Sequence, residues 1–319
     1  MRSFIFILSI LFVLTGCTKE NSVRHALSAK ESMEAATHKE AVDYFTKANK
    51  ALIHSHTYYS ALGDIHMAYG HYVEAVNDYT RALRNSGKVE YNLMRGRAYM
   101  KLHIYRDAII DFTNVVETKG SRMPVAYVER AMAFVAKGDF KRAMRDLKKA
   151  EKHSGESVEF DIAMGELYFK MGKYEQAKTF IQKAIIKDSK SAELYYLRAR
   201  VFYKAKDAHQ AISDLEKALS INSFNVEAKR MLAWVYATNP LEIYRNGQKA
   251  LKLAKELFEI NEDIEYIEVL AAAYAETGNF DMAVKTLEEG VRLTTDLVQK
   301  EDFRFDMKNY EEKRAVRAW

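Results

Sequence analysis

Histidines gather early in this chain, at His54, His56, His66 and His71. Imidazoles this close together are a candidate zinc or copper site. The favoured alternative is exposed or packed histidine. His54 and His56 fall near a helix junction, and His66 takes a position that is otherwise aromatic. A second recurring set is Arg95, Arg130 and Arg198, followed sixteen residues later by Asp111, Asp146 and Asp214. A pairing that repeats reads as an ion pair between helices, because an active site is needed only once. The chain has no Gly-rich phosphate loop, no Gly-x-Ser-x-Gly and no His-Glu-x-x-His. The expectation is a non-enzymatic protein without catalytic or metal-binding residues.

A period sets the elements that position these residues. Ala75, Ala108, Ala143, Ala177 and Ala211 recur at about 34 residues, the length of a stacked helix-pair unit. Ala82, Ala150, Ala184 and Ala218 follow four of them, and Gly63, Gly96, Ala131, Gly165 and Ala199 precede them. Tyr59, Leu62, Gly63, His66, Met67 and Tyr69 have helical spacing. Gly70 ends that run, and Val73, Ala75, Val76, Tyr79, Ala82 and Leu83 form the next. Gly138, Gly172 and Gly278 stand at the same turn, where a left-handed residue ends a helix. The small residues let paired helices approach, while Tyr99, Phe134, Tyr168, Phe202, Tyr236 and Tyr274 fill the gaps. Only two prolines occur in 319 residues, so little opposes an all-α fold.

The stretch Gly63 to Gly70, with Tyr72, Ala75, Tyr79 and Ala82, resembles the tetratricopeptide repeat. So do Arg95 to Tyr99 with Tyr105, Ala108 and Phe112, and Gly165 to Tyr168 with Gly172, Tyr174, Ala177 and Ala184. The family's frame starts repeats near 56, 89, 124, 158, 192, 226 and 264. A degenerate repeat begins near 22, marked by Ala41, Phe45 and Ala48. The resemblance implies a right-handed superhelical solenoid of antiparallel helix pairs. Its parts are a degenerate first repeat over 22–55, an array over 56–297 and a capping helix over 298–319.

The resemblance also implies a concave groove lined by the first helix of each repeat. Arg97, Met100, Lys101, Met132, Phe169, Tyr196, Arg200, Tyr203, Lys204, Arg230 and Trp234 fall on its positions. Beside them fall Ser60, Asp64, Met67, Leu93, Val128, Val135, Ile162, Glu166 and Lys170. Aromatic anchors, methionines and cations suit protein recognition. The alternative for each is packing against a neighbouring helix. Ser60 and Asp64 stand where a Lys–Asn clamp for a peptide's terminal carboxylate would begin, which disfavours that mode.

Met1 and Arg2 make a basic start, and Phe4 to Leu14 is apolar except for Ser9. That run is too short to span a bilayer and reads as a secretory signal over 1–16. Leu14-Thr15-Gly16-Cys17 resembles the bacterial lipobox. The resemblance implies that Cys17 becomes the new N-terminus, carrying diacylglycerol and a further acyl chain such as palmitate. Cys17 is the only cysteine, so it has no internal disulfide partner. Two or more chains give stable anchoring. Thr18 in place of aspartate resembles sorting to the outer membrane, facing the periplasm, where an organism has two membranes. The rest of the 17–21 tether spans roughly 14 Å at most, which keeps the repeats near the membrane.

Charge is interspersed: 49 basic against 44 acidic residues, net +5, with Arg2 lost if the leader is cleaved. No arginine-rich arm or zinc-ligand framework points to nucleic acid. One elongated domain is expected, since the repeat runs through the chain. The sixth unit is longer, with 238–247 occupying its turn. Asn239-Pro240 ends a helix there and Asn246 caps the next. A tolerated insertion is favoured over a partner-binding loop. Phe303, Phe305, Met307, Tyr310 and Val316 are available to pack a terminal cap, the alternative being that the Phe303–Tyr310 aromatics dock in the groove or mediate dimerisation.

The expected function is a lipid-anchored envelope adaptor, serving assembly of a pilus, secretion or cell-wall complex. It would bind other envelope proteins through the groove, with no cofactor beyond the lipid, and is compatible with homo-oligomers. The alternative is a glycan or cell-wall-polymer binder using Tyr196, Tyr203 and Trp234 as stacking platforms.

Overall fold

A computed structural model describes residues 37–49, 55–119, 122–154, 157–260 and 264–319. The expected signal over 1–16, Cys17 with the expected tether, and His54 lie outside the described residues, as does most of the expected degenerate repeat over 22–55. Where the period reads as one continuous array, packing divides the chain into two compact units, Met1–Gly155 and Glu156–Trp319.

In the first unit α1 (His38–Ala48) precedes three helix pairs: α2 and α3 (His56–Ala68, Tyr72–Ser86), α4 and α5 (Glu90–Lys101, Tyr105–Lys119), and α6 and α7 (Pro124–Ala136, Phe140–Ser154). The second unit has four pairs. They are α8 and α9 (Val158–Lys170, Tyr174–Lys187), α10 and α11 (Ala192–Lys204, Ala208–Ile221), α12 and α13 (Val226–Thr238, Gly247–Ile260), and α14 and α15 (Ile264–Glu276, Phe280–Leu293). α16 (Leu297–Glu311) closes it. Within each unit the two helices of a pair pack on each other, and the second helix packs on the first helix of the next pair. All regular structure among the described residues is helical.

Local chemistry starts and stops these helices. Ser55, Ser157 and Asn225 accept from the backbone N–H groups of Tyr58, Phe160 and Ala228, satisfying donors that the first turn leaves unpaired. Pro124 opens α6, where its missing N–H costs nothing. The turn within a pair needs a left-handed residue. Gly70, Gly138, Gly172 and Gly278 supply it with φ between 72° and 81°. His103 and Lys206 hold the same conformation with a side chain present, at φ 59° and 64°.

Small residues at the period do steric work. Ala75, Ala108, Ala143, Ala177 and Ala211 are fully buried. A Cβ added at Gly96 would lie 2.5 Å from the Phe112 ring, so the α4–α5 crossing requires glycine. The recurring Arg–Asp pairs bind each hairpin together, as the pattern implies. Arg95 donates from Nε and Nη2 to both oxygens of Asp111 at 2.8 and 2.7 Å. Arg130 grips Asp146 in the same way at 2.7 and 2.9 Å, and Arg198 grips Asp214 at 2.7 and 2.6 Å. The third nitrogen of each reaches back to the preceding pair, onto Thr80, Thr113 or Gln182. Each arginine thus ties three helices.

In the second unit, α16 buries Phe303 and Tyr310 against Ile267, Ala271 and Leu287. Met307 and Val316 are partly buried there, but Phe305 is 68% exposed and does not share in the packing.

Candidate partner-binding face

Every residue expected to line the groove sits on the first helix of its pair. In the first unit Arg97 on α4 donates from Nε to Glu129 on α6 at 2.6 Å. Met100 packs beside Phe112 and Ala133, and Met132 is half-buried, while Lys101 is exposed. On α2, Asp64 accepts the Tyr79 hydroxyl at 2.6 Å. Burial pushes its carboxyl up to about 6, against the pull of that hydrogen bond and of Arg97. Val128 and Val135 are buried and serve packing rather than presentation.

The second unit carries the denser set. Arg200 on α10 donates to Glu166 on α8 at 2.6 Å, and its guanidinium lies over the rings of Phe169 and Tyr196, 4.8 and 5.7 Å from their centroids. Two aromatic faces and a carboxylate therefore hold one cation between adjacent repeats. Burial raises the Tyr196 phenol to about 12, so it stays a neutral donor, with Glu227 at 3.5 Å. Arg230 donates to Glu227 at 2.8 Å, and Lys204 is exposed. Trp234 Nε1 donates to the Tyr203 hydroxyl at 3.2 Å. Tyr203 is only 7% exposed, with the Trp319 ring 6.4 Å from its own.

The described histidines of this cluster, His56, His66 and His71, are packing partners. His66 sits between His38 and Asp78, with Nδ1 2.7 Å from His38 Nε2 and Nε2 3.2 Å from Asp78. His71 stacks on His38 at 3.6 Å, while His56 bonds the Tyr91 hydroxyl at 2.8 Å. Burial lowers the His38 pKa, helped by the charges of His71 and His66 and opposed by Glu74. Among the described residues no group of His, Cys, Asp and Glu is arranged to hold a metal ion. Among them, too, no helix is long and apolar enough to cross a membrane.

Family models described as tetratricopeptide repeat match residues 134–201, 192–225 and 264–296. The chain contains tetratricopeptide repeats. Yeast Tom70 shares the fold, with a TM-score of 0.66 and 14% identity over 95% of this chain and 66% of that one. A thermophilic TPR protein from Thermus thermophilus gives a TM-score of 0.51 at 20% identity over 55% of this chain and 95% of its own. Among curated proteins, mouse DnaJ homolog subfamily C member 7 is 23% identical over 89% of this chain. The chain spans 62% of that relative's length. Tetratricopeptide repeats are scaffolds for protein–protein contact and are generally non-enzymatic, and this chain is built on that scaffold.

Two parts of the tetratricopeptide face were not legible in the spacing. Arg97, Arg200 and Arg230, read as cations for a partner, each pair with a carboxylate of the chain itself. Trp319, which the period does not reach, packs against the cluster containing Tyr203 and Trp234. The docking considered for Phe303 and Tyr310 is instead made by this more distant ring, while those two are buried in the cap.

Proposed function

We propose that the protein is a lipid-anchored adaptor of the bacterial envelope that collects partner proteins on the face of its tetratricopeptide repeats. The Phe169–Arg200–Tyr196 stack carries the partner-binding half of this reading. It forms a pre-ordered ridge of two aromatic rings around the Arg200–Glu166 ion pair on successive first helices, where ordering costs little on binding. The Leu14-Thr15-Gly16-Cys17 quartet supports the anchor, and Thr18 in place of aspartate supports an outer-membrane, periplasm-facing address in a two-membrane cell. The lipid would fix the repeats at the membrane and raise the local concentration of whatever they bind. Clients assembling a pilus, a secretion machine or a cell-wall complex fit that arrangement.

Two measurements test it. Radiolabelled palmitate is expected in the wild-type chain and absent from Cys17→Ser, which should also leave the membrane fraction; labelling that persists in the variant overturns the anchor. Affinity capture from envelope extracts is expected to recover a protein that Phe169→Ala with Arg200→Ala loses. Equal recovery by both chains overturns the assignment of this face.

A further inference from the structure

After α16 the chain turns through Lys313, left-handed at φ 56°, and continues without regular structure to Trp319. Three contacts seat this segment on the face of the first helices. The Ala318 N–H donates to Thr238 O at 2.9 Å. Arg317 pairs with Glu276 at 2.9 Å. The Trp319 ring lies 6.4 Å from that of Tyr203, in the cluster that includes Trp234.

The lengthened turn explains why these acceptors are open. In ordinary repeats two turn N–H groups take the last carbonyls of the first helix. Lys173 and Gly172 donate to Tyr168 and Phe169, Asp207 and Lys206 to Phe202 and Tyr203, and Asn279 and Gly278 to Tyr274 and Ala275. In the sixth repeat Asn246 makes the first of these bonds, to Tyr236 at 2.9 Å. Ala237 O, where the second belongs, instead faces Arg317 Nη1 at 3.4 Å, and Thr238 O takes the Ala318 N–H. Carbonyls at a helix end need a partner, and here the segment after α16 supplies it. The same turn prepares the charge. Arg245 Nε holds one oxygen of Glu276 at 2.9 Å, which leaves the other for Arg317.

We propose that this is a peptide site whose external ligand is an extended segment with a cation two residues before an aromatic ring, and that residues 314–319 occupy it in cis. The segment spells out the recognition chemistry: a backbone N–H for Thr238, a guanidinium for Glu276 and a ring for Tyr203. The inference deepens the adaptor reading and rests on it for the existence of a partner. A tethered occupant acts at an effective concentration on the order of millimolar, so only a better-matched segment displaces it.

The test uses the full chain and an acetylated, amidated peptide of residues 313–319 carrying a fluorophore. The Arg317→Ala/Trp319→Ala chain is expected to bind the peptide at least tenfold more tightly than wild type, by anisotropy. Adding Glu276→Gln to that chain should reverse the gain, with circular dichroism reporting that each variant remains helical. A peptide lacking the cation and the ring should bind neither chain. Equal peptide affinity for wild type and the double variant, or no binding to either, overturns the proposal. The same two chains are then used for envelope capture. Peptide binding without any captured protein removes the adaptor reading but leaves the site. Capture that is equal for both chains, without peptide binding, removes the site and leaves the adaptor.

Discussion

Arg130 shows how a single side chain holds this protein together. It fills a bidentate bond to Asp146 with both groups largely buried, at 13% and 6% side-chain exposure. Removing one partner strands the other, so Arg130→Met should cost about 3 kcal/mol or more in urea unfolding. Replacing both, as Arg130→Met with Asp146→Leu, should recover most of that, because the desolvated charge goes with its partner. Asp64 behaves oppositely with pH. Its carboxyl is raised from 3.8 to about 6, so the folded state holds the proton more tightly than the unfolded one. Its contribution to stability is full below about 3.8 and is lost as pH rises through about 6. Asp64→Asn should therefore flatten stability across that window and gain on wild type at pH 7, as measured by urea titrations at pH 4 and pH 7. The regular Arg–Asp spacing made the first of these legible in sequence. The second depends on the burial of Asp64, which spacing alone does not supply.

At the scale of elements, the turn inside each pair is the sensitive point. Gly172 sits at φ 72°, where a Cβ meets no neighbour but the backbone conformation itself disfavours a side chain. Gly172→Ala should cost about 1 kcal/mol through that strain alone, read as a lower thermal midpoint with unchanged helicity. His103 and Lys206 show that the turn is imposed by the packing of both helices rather than by glycine. Sequence reading found the glycine turns and missed these two, because left-handed geometry at a non-glycine residue leaves no compositional mark. The lengthened sixth turn was visible as extra residues, and Asn246 caps α13 by accepting from the Lys249 N–H at 3.0 Å. Its consequence for the carbonyls of α12 was not visible, since that depends on which donors the path of the loop withdraws.

For the whole molecule, stability should follow neighbour contacts within each unit. Phe303 in α16 fills the space beside Gly290, where a Cβ would come within 2.7 Å of its ring. Phe303→Ala should cost about 3–5 kcal/mol locally and speed hydrogen exchange in α14 to α16. Amides of the Met1–Gly155 unit should keep wild-type protection, as mass spectrometry of peptic fragments would report. Equal loss of protection in both units would mean that the chain opens as one cooperative body.

The period of small residues by itself determined the helix pairs and their order, because close approach of two helices demands small side chains at fixed intervals. It also marked Arg95, Arg130 and Arg198 as structural. The tertiary structure decided which groove cations are already neutralised, because Glu129 and Glu166 reach them from neighbouring repeats. It also brought Trp319 beside Tyr203, more than a hundred residues away in sequence. Such pairings follow from the route of the chain after α16 and from carbonyls left open by one irregular turn, and neither has a period to read.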